Sequence, residues 1–252
     1  MTIAGKTIAI TGGARGLGQE FARHLASQGA RVAVGDLSDC AETIELVKGA
    51  GGDGIAVRLD VTDPRSAQAM VQAAVDAFGG LHGLINNAAL YGALHGGRFD
   101  AIADTEWDAC MAVNVKGIWN CCKAAVPAMR QGGGGSIVNI ASLAATYGMP
   151  FGLHYTASKA AVIGITRGLA RELGRDNIRV NALAPSAVLT EGTNEFFGEK
   201  LDRALQGIKA QQTIQRNLVP ADLAGTMAWL LSDDSTFITG QTIAIDGGTV
   251  ML

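Results

Sequence analysis

Short runs of β-branched and apolar residues recur along the chain, each followed by a loop and then by apolar residues three and four apart. The runs predict strands at Thr7–Thr11, Arg31–Asp36, Gly54–Asp60, Gly83–Asn87, Ser136–Ala141, Ile178–Ala184 and Thr242–Asp246. The stretches between them predict helices near Gly16–Gln28, Cys40–Lys48, Pro64–Phe78, Thr105–Met129, Phe151–Leu173 and Pro220–Ser232. Runs such as Ile137-Val138-Asn139-Ile140 lack strict alternation, as expected of strands covered on both faces. Alternating strand and helix units predict an α/β fold, a doubly wound parallel sheet of seven strands with helices on both faces. The whole chain, 1–252, is read as a single domain. Pro127 lies inside the Thr105–Met129 pattern and is expected to kink that helix or end it early. Glu191–Gln212 mixes Phe196, Phe197 and Leu201 with polar residues, and fits either a surface helix pair or a mobile substrate lid.

Composition narrows the function classes. Lys and Arg number 20 against 23 Asp and Glu, a net charge of −3 without a cationic surplus, so a nucleic-acid partner is not expected. Charged residues are 17% and apolar ones 48%, enough for a double-sided core and unlike a disordered chain. Cys40, Cys110, Cys121 and Cys122 fit no metal or redox spacing, so reduced thiols are the simplest reading. No basic leader precedes the first strand, and no apolar run reaches the ~18 residues of a membrane span. A cytoplasmic location without membrane attachment is the expectation.

Thr11-Gly12-Gly13-Ala14-Arg15-Gly16-Leu17-Gly18 falls where the first strand hands over to the first helix. Glycine permits φ > 0 and close backbone approach, and the N–H groups of a helix start attract phosphate. The spacing, Gly-x3-Gly-x-Gly, differs from the general dinucleotide fingerprint and could also be a plain tight turn. Asp36 then ends the second strand, where a carboxylate can accept the hydroxyls of an adenosine ribose and repel a 2′-phosphate. Loop and acid together point to a dinucleotide, with NAD favoured over NADP. Arg15 argues the other way, since a base there can meet a 2′-phosphate; the fixed repulsion from Asp36 is the stronger discriminator. Gly5-Lys6-Thr7 is not a P-loop, because it precedes its strand and lacks room for the first glycine.

Tyr155-Thr156-Ala157-Ser158-Lys159 places a phenol and an ammonium one helical turn apart. A nearby cation lowers a phenol's pKa from ~10, so that it can exchange a proton with an alcohol or ketone oxygen. Alone, the pair also fits a packed tyrosine beside a solvated lysine. Ser142 closes the strand Ser136–Ala141 at its carboxyl end, where open α/β sheets bind ligands, though a lone serine there can be a turn former.

With these residues in place the sequence resembles the short-chain dehydrogenase/reductase family over nearly its whole length. The loop Thr11–Gly18, Asp60-Val61, Asn86-Asn87-Ala88, Asn114, Ser142, Tyr155-x3-Lys159, Pro185 through Thr190 and Thr239-Gly240-Gln241…Asp246-Gly247-Gly248 carry the resemblance. It implies a Rossmann-type fold, with Tyr155 as general acid/base and Ser142 as partner of the substrate oxygen. Lys159 would bond the nicotinamide ribose and bias Tyr155, and Asn114 would hold a water linking Lys159 to solvent. Asp60 and Val61 would flank the adenine, Asn87 the cofactor ribose wall, and Val188 and Thr190 the carboxamide. A homotetramer is likewise implied, with Thr105–Met129, Phe151–Leu173 and the C-terminal strand at interfaces. Two positions depart from the family pattern: Ala89 stands where glycine is usual, and Ser186 follows Pro185 where glycine is usual. The second resembles members that oxidise aromatic secondary alcohols.

Other functions find less support. No G-x-S-x-G elbow suggests a hydrolase, and His24, His82, His95 and His154 have no metal spacing, although His95 and His154 could border a pocket. A non-enzymatic dinucleotide sensor is disfavoured because Tyr155 and Lys159 are both present. The nearest enzymatic rival is an NADPH-dependent reductase of 3-oxoacyl thioesters, against which Asp36 counts. Leu90, Leu94, Leu143, Ala144, Tyr147, Met149, Leu153, Phe196 and Phe197 are expected around the substrate, so a small hydrophobic secondary alcohol or its ketone fits best.

Overall fold

A computed structural model describes residues 2–251. Seven strands form one sheet: β1 (Thr7–Thr11), β2 (Arg31–Asp36), β3 (Asp53–Arg58), β4 (Gly83–Asn86), β5 (Gly135–Ile140), β6 (Ile178–Pro185) and β7 (Thr242–Ile245). Their order is β3-β2-β1-β4-β5-β6-β7, and every pairing is parallel. The order reverses between β1 and β4, so a crevice opens there beyond the strands' carboxyl ends.

The helices are α1 (Gly16–Ser27), α2 (Ala41–Gly49), α3 (Pro64–Phe78), α4 (Asp104–Met111), α5 (Gly117–Gln131), α6 (Ala144–Tyr147), α7 (Leu153–Leu173), α8 (Glu191–Phe197), α9 (Leu201–Gln211) and α10 (Ala221–Leu231). The period-two geometry of the strands sorts side chains into two cores. Ile8, Ile10, Val32, Val34 and Val138 pack with Phe21 and Leu25 of α1 and Met227 and Leu230 of α10. Ala9, Ala33, Leu84 and Ile137 pack with Met70 of α3 and Ala125 and Met129 of α5 on the opposite face. Local signals agree with this arrangement. At α3, Asp63 accepts a bond from Arg65 N at 2.9 Å, Pro64 opens the helix, and Gly79 closes it at φ 82°.

Three expectations shift. The predicted Thr105–Met129 helix is observed as α4 and α5 joined by one π-helical stretch, Ala112–Lys116, and it runs past Pro127 to Gln131. Pro127 and Lys123 both lie on the exposed side, where the carbonyl that a proline leaves unbonded can meet water. β3 stops at Arg58, not Asp60, because the Asp60 carboxylate accepts bonds from Thr62 N and Thr62 Oγ1 and turns the chain. α7 starts at Leu153, since Phe151 sits at φ 61°, outside the right-handed region. Residues 191–211 form the helix pair α8 and α9 with a 3₁₀ turn between them, a fold compatible with either reading of that segment.

Candidate functional site

The crevice at the reversal of strand order is a cleft of about 480 Å³. One end is lined by Gly12, Arg15, Gly16, Leu17, Asp36 and Asp60, the other by Ser142, Tyr155 and Lys159. Val61, Asn87, Val188 and Thr190 lie along it as well. Of the catalytic and cofactor residues expected from the sequence, Gly18 and Asn114 do not reach the cleft wall.

The glycine loop is shaped by its neighbours. At Gly12, φ is 67° and a Cβ would lie 2.7 Å from Ala88 Cα, so this position needs glycine twice over. A Cβ at Gly18 would run into Gly12 O, which keeps helix and loop in contact. Asn87 Nδ2 donates to Thr11 O at 3.1 Å and Gly12 O at 2.7 Å. Thr11 Oγ1 accepts from Asn87 N and Ala88 N, both at 3.0 Å. α1 has no side-chain cap at its N-terminus, which leaves first-turn N–H groups for an anion. A glycine cradle, an uncapped helix start and an adjoining strand-end carboxylate fit the pyrophosphate and ribose of a dinucleotide.

Asp36 is tied to that cradle: Oδ2 accepts from Ala14 N and Oδ1 from Ser38 N, each at 3.0 Å. Each oxygen keeps a lone pair for another donor. Arg15 is not free to meet a phosphate. Its guanidinium forms a two-pronged ion pair with Glu195 of α8, Nη2 to Oε2 at 2.9 Å, and stays protonated.

At the other end α7 buries Tyr155, Ser158 and Lys159 together. Lys159 Nζ donates to Ile140 O at 2.8 Å, and burial pushes its pKa down to about 8. Tyr155 departs from expectation. Burial lifts its pKa well above the usual phenol value, the hydrogen bond with Ser142 opposes that rise, and the Lys159 charge contributes nothing resolvable. Lys159 Nζ lies 5.6 Å from the Tyr155 ring centre, over the ring. The phenol is thus held as a proton donor, paired with a hydroxyl that can share a substrate oxygen.

Asn114 sits in the π-helical stretch and faces inward. Its Oδ1 accepts from Leu90 N at 2.7 Å, while Nδ2 donates to Leu90 O and Ser158 Oγ, both at 3.1 Å. The asparagine therefore anchors the loop after β4 against α7 from behind the cleft.

Leu90, Leu143, Ala144, Tyr147, Met149 and Phe197 line the cleft as the sequence suggested, whereas Leu94, Leu153 and Phe196 do not. Phe196 instead stacks on Tyr91 at 4.8 Å between ring centres, and Tyr91 tilts against Tyr155 at 5.0 Å. Tyr91 had no sequence signal, since nothing around it marks a ring destined for the catalytic phenol. Burial pushes its own pKa up to about 12. Ser186 lines the cleft and its Oγ accepts from Gln212 Nε2 at 3.3 Å, joining the end of β6 to the segment after α9. Neither His95 nor His154 reaches the cleft. His95 N bonds Glu106 Oε1, and His154 is fully buried with Nε2 3.9 Å from the same oxygen. Among the described residues no three His, Cys, Asp or Glu side chains gather as a metal site, and no helix is long and apolar enough to cross a membrane.

A family model described as enoyl-(acyl carrier protein) reductase matches residues 12–250. A 3-oxoacyl-[acyl-carrier-protein] reductase FabG of Staphylococcus aureus is 35% identical over 249 residues, 98% of each chain. The chain is a short-chain dehydrogenase/reductase. Within this family of oxidoreductases it is also 38% identical, over 253 residues, to a 3-alpha-(or 20-beta)-hydroxysteroid dehydrogenase of Mycobacterium tuberculosis, covering 98% of this chain and 90% of that one. The crystal structure of a carveol dehydrogenase from Mycobacterium avium in complex with NAD superposes with a TM-score of 0.92, at 30% identity and 98% coverage of both chains. The family uses a nicotinamide dinucleotide, NAD or NADP.

Proposed function

We propose that this short-chain dehydrogenase/reductase interconverts a small hydrophobic secondary alcohol and its ketone using NAD. One observation carries the reading: a single cleft joins the Asp36 carboxylate at one end to the Ser142–Tyr155 pair and apolar side chains at the other. The carboxylate suits a free ribose diol and repels a 2′-phosphate. Among the described residues, Lys159 apart, that end has no cation for a carboxylate or phosphate substrate.

The nicotinamide, when bound, supplies or accepts the hydride. Tyr155 gives its phenolic proton to the carbonyl oxygen in reduction and takes the hydroxyl proton in oxidation. Ser142 hydrogen-bonds that same oxygen and orients it towards the phenol. Lys159 holds the nicotinamide ribose, and Asn114 fixes the backbone around Leu90 and the Ser158 hydroxyl behind it. Gly12, Gly16 and Leu17 cradle the pyrophosphate, with Gly18 packing α1 against the loop behind them, Asp60 and Val61 border the adenine, Asn87 the ribose, and Val188 and Thr190 the carboxamide. Residues 191–212 act as the substrate lid of one catalytic domain. Four free, buried cysteines suit a reducing cytoplasm. Exposed Trp119 on α5 and Leu153 on α7 support self-association through these helices into a homotetramer, which sedimentation would check.

A second reading, an NADPH-dependent reductase of 3-oxoacyl thioesters, has in its favour the activity named for the staphylococcal relative. The hydroxysteroid and carveol dehydrogenases, acting on alicyclic alcohols, favour the first. Initial rates with NAD and NADP on aryl and alicyclic carbinols, and with NADPH on a 3-oxoacyl thioester, separate the two. Asp36→Ser should move the NAD-to-NADP preference by about 10²-fold towards NADP. An unchanged ratio would mean that the acid does not face the ribose.

A further inference from the structure

The cation that could welcome a 2′-phosphate is already taken, and what takes it comes from far along the chain. Both prongs of the Arg15 guanidinium are held by Glu195, 180 residues away on α8. The carboxylate is confined from its other side too, since any side chain at Gly92 would run into Glu195 Oε2. Two more acids crowd the same place. Glu191 Oε2 hangs over the glycine loop, 3.7 Å from where a Cβ on Gly16 would stand, and Asp36 bonds the backbone N–H of Ala14. Arg15 thus faces three carboxylates, Asp36, Glu191 and Glu195, and each strengthens its hold on its proton.

Resting on the NAD reading above, we infer that Glu195 is a cofactor-specificity residue: it occupies Arg15 and so withholds that guanidinium from a 2′-phosphate. A phosphate monoester presents acceptor oxygens that a guanidinium grips in the same two-pronged way as a carboxylate. To use Arg15 it has to displace Glu195 and then remain beside a carboxylate that has lost its partner. A 5′-nucleotide with a free ribose diol asks nothing of Arg15 and leaves the pair intact. The pair is about half exposed, 56% for Arg15 and 45% for Glu195, so water screens it and the discrimination is moderate.

Adenosine 2′,5′-bisphosphate and its matched control 5′-AMP isolate this contact from the nicotinamide. Titration calorimetry on Glu195→Gln should show the bisphosphate bound about threefold to tenfold more tightly, with 5′-AMP changed by less than about twofold. In an Arg15→Ala background the same Glu195→Gln change should yield less than about twofold for either nucleotide, because nothing is left to release. An unchanged bisphosphate affinity in Glu195→Gln, an equal gain for both nucleotides, or a gain that survives without Arg15 would each overturn the inference. Asp36→Ser in the same titration is read separately: an unchanged ratio there counts against the NAD reading and not against the hold of Glu195 on Arg15.

Discussion

The two ends of the cleft are built from different forces. Around the glycine loop hydrogen bonds from other segments hold the chain: Thr43 Oγ1 donates to Gly13 O at 2.8 Å, Gln19 Nε2 to Ala14 O at 3.2 Å, and Asn87 spans Thr11 and Gly12. Around Tyr91, Phe196 and Phe197 the contacts are ring on ring, and Tyr147, which also lines this end, is 55% exposed. Hydrogen bonds are directional and admit one backbone path, whereas apolar packing fixes volume more than orientation. The nucleotide end is therefore specified in detail and the substrate end only in character, hydrophobic and adaptable.

The contrast can be broken most severely at the chemistry between the two ends. Tyr155→Phe keeps the ring that packs on Tyr91 and removes the proton, so turnover should fall by roughly 10²–10⁴ while nucleotide titration stays near wild type. Retained wild-type kcat would take the acid/base role away from Tyr155. Lys159→Met should weaken nucleotide binding and also expose a cost of function in the empty protein. Burial lowers Lys159 from 10.5 to about 8, so the unfolded chain holds that proton more tightly than the folded one. The folded state bears the buried charge below pH 8 and is relieved of it as pH rises towards 10.5. Wild type should accordingly gain stability relative to Lys159→Met between those values, on the order of a few kcal/mol, in denaturant melts at stepped pH. A difference that is flat or shrinks with pH would mean that the ammonium is well solvated.

Two smaller effects sharpen the comparison. Thr11→Val removes the acceptor shared by the Asn87 and Ala88 amides; a loss of about 1–3 kcal/mol is expected in chemical denaturation, with weaker nucleotide binding. Tyr91→Leu should cost less than about 1.5 kcal/mol, yet it should change the ranking of alcohols by kcat/KM. Each added methylene of substrate is worth up to roughly 0.8 kcal/mol at such a wall, so alicyclic and aryl carbinols should outrun polyols of similar size. Equal stability losses at Thr11 and Tyr91 would erase the distinction between the two ends, and a preference for sugar alcohols would refute an apolar substrate site.

The same division explains what the sequence discloses. Glycines under steric compulsion, an acid at a strand end and a phenol four residues before a lysine follow from local geometry, and they are legible without coordinates. The parallel, doubly wound sheet was readable because strand and helix units alternate and crossovers have one hand. Partners brought together from distant segments were not. Arg15 reads as a phosphate ligand until Glu195 is seen on it, and Lys159 reads as the cation that acidifies Tyr155 until burial proves the larger effect. Phe196 and Tyr91 show the same limit, since which ring meets the cleft depends on how α8 lies over the loop after β4. Pro127 was misjudged for a simpler reason: its cost depends on whether water reaches the freed carbonyl, and only the packing of α5 decides that.

The cleft draws its wall from residue 12 to residue 249, nearly the full length of the chain. The nucleotide contacts proposed above run from Gly12 to Thr190, across six of the seven strands, so binding selects for the assembled sheet. Free nucleotide at a hundred times its Kd adds about 2.7 kcal/mol to the folding equilibrium of the entire chain. The melting temperature of the protein should therefore rise with the concentration of the nucleotide it binds.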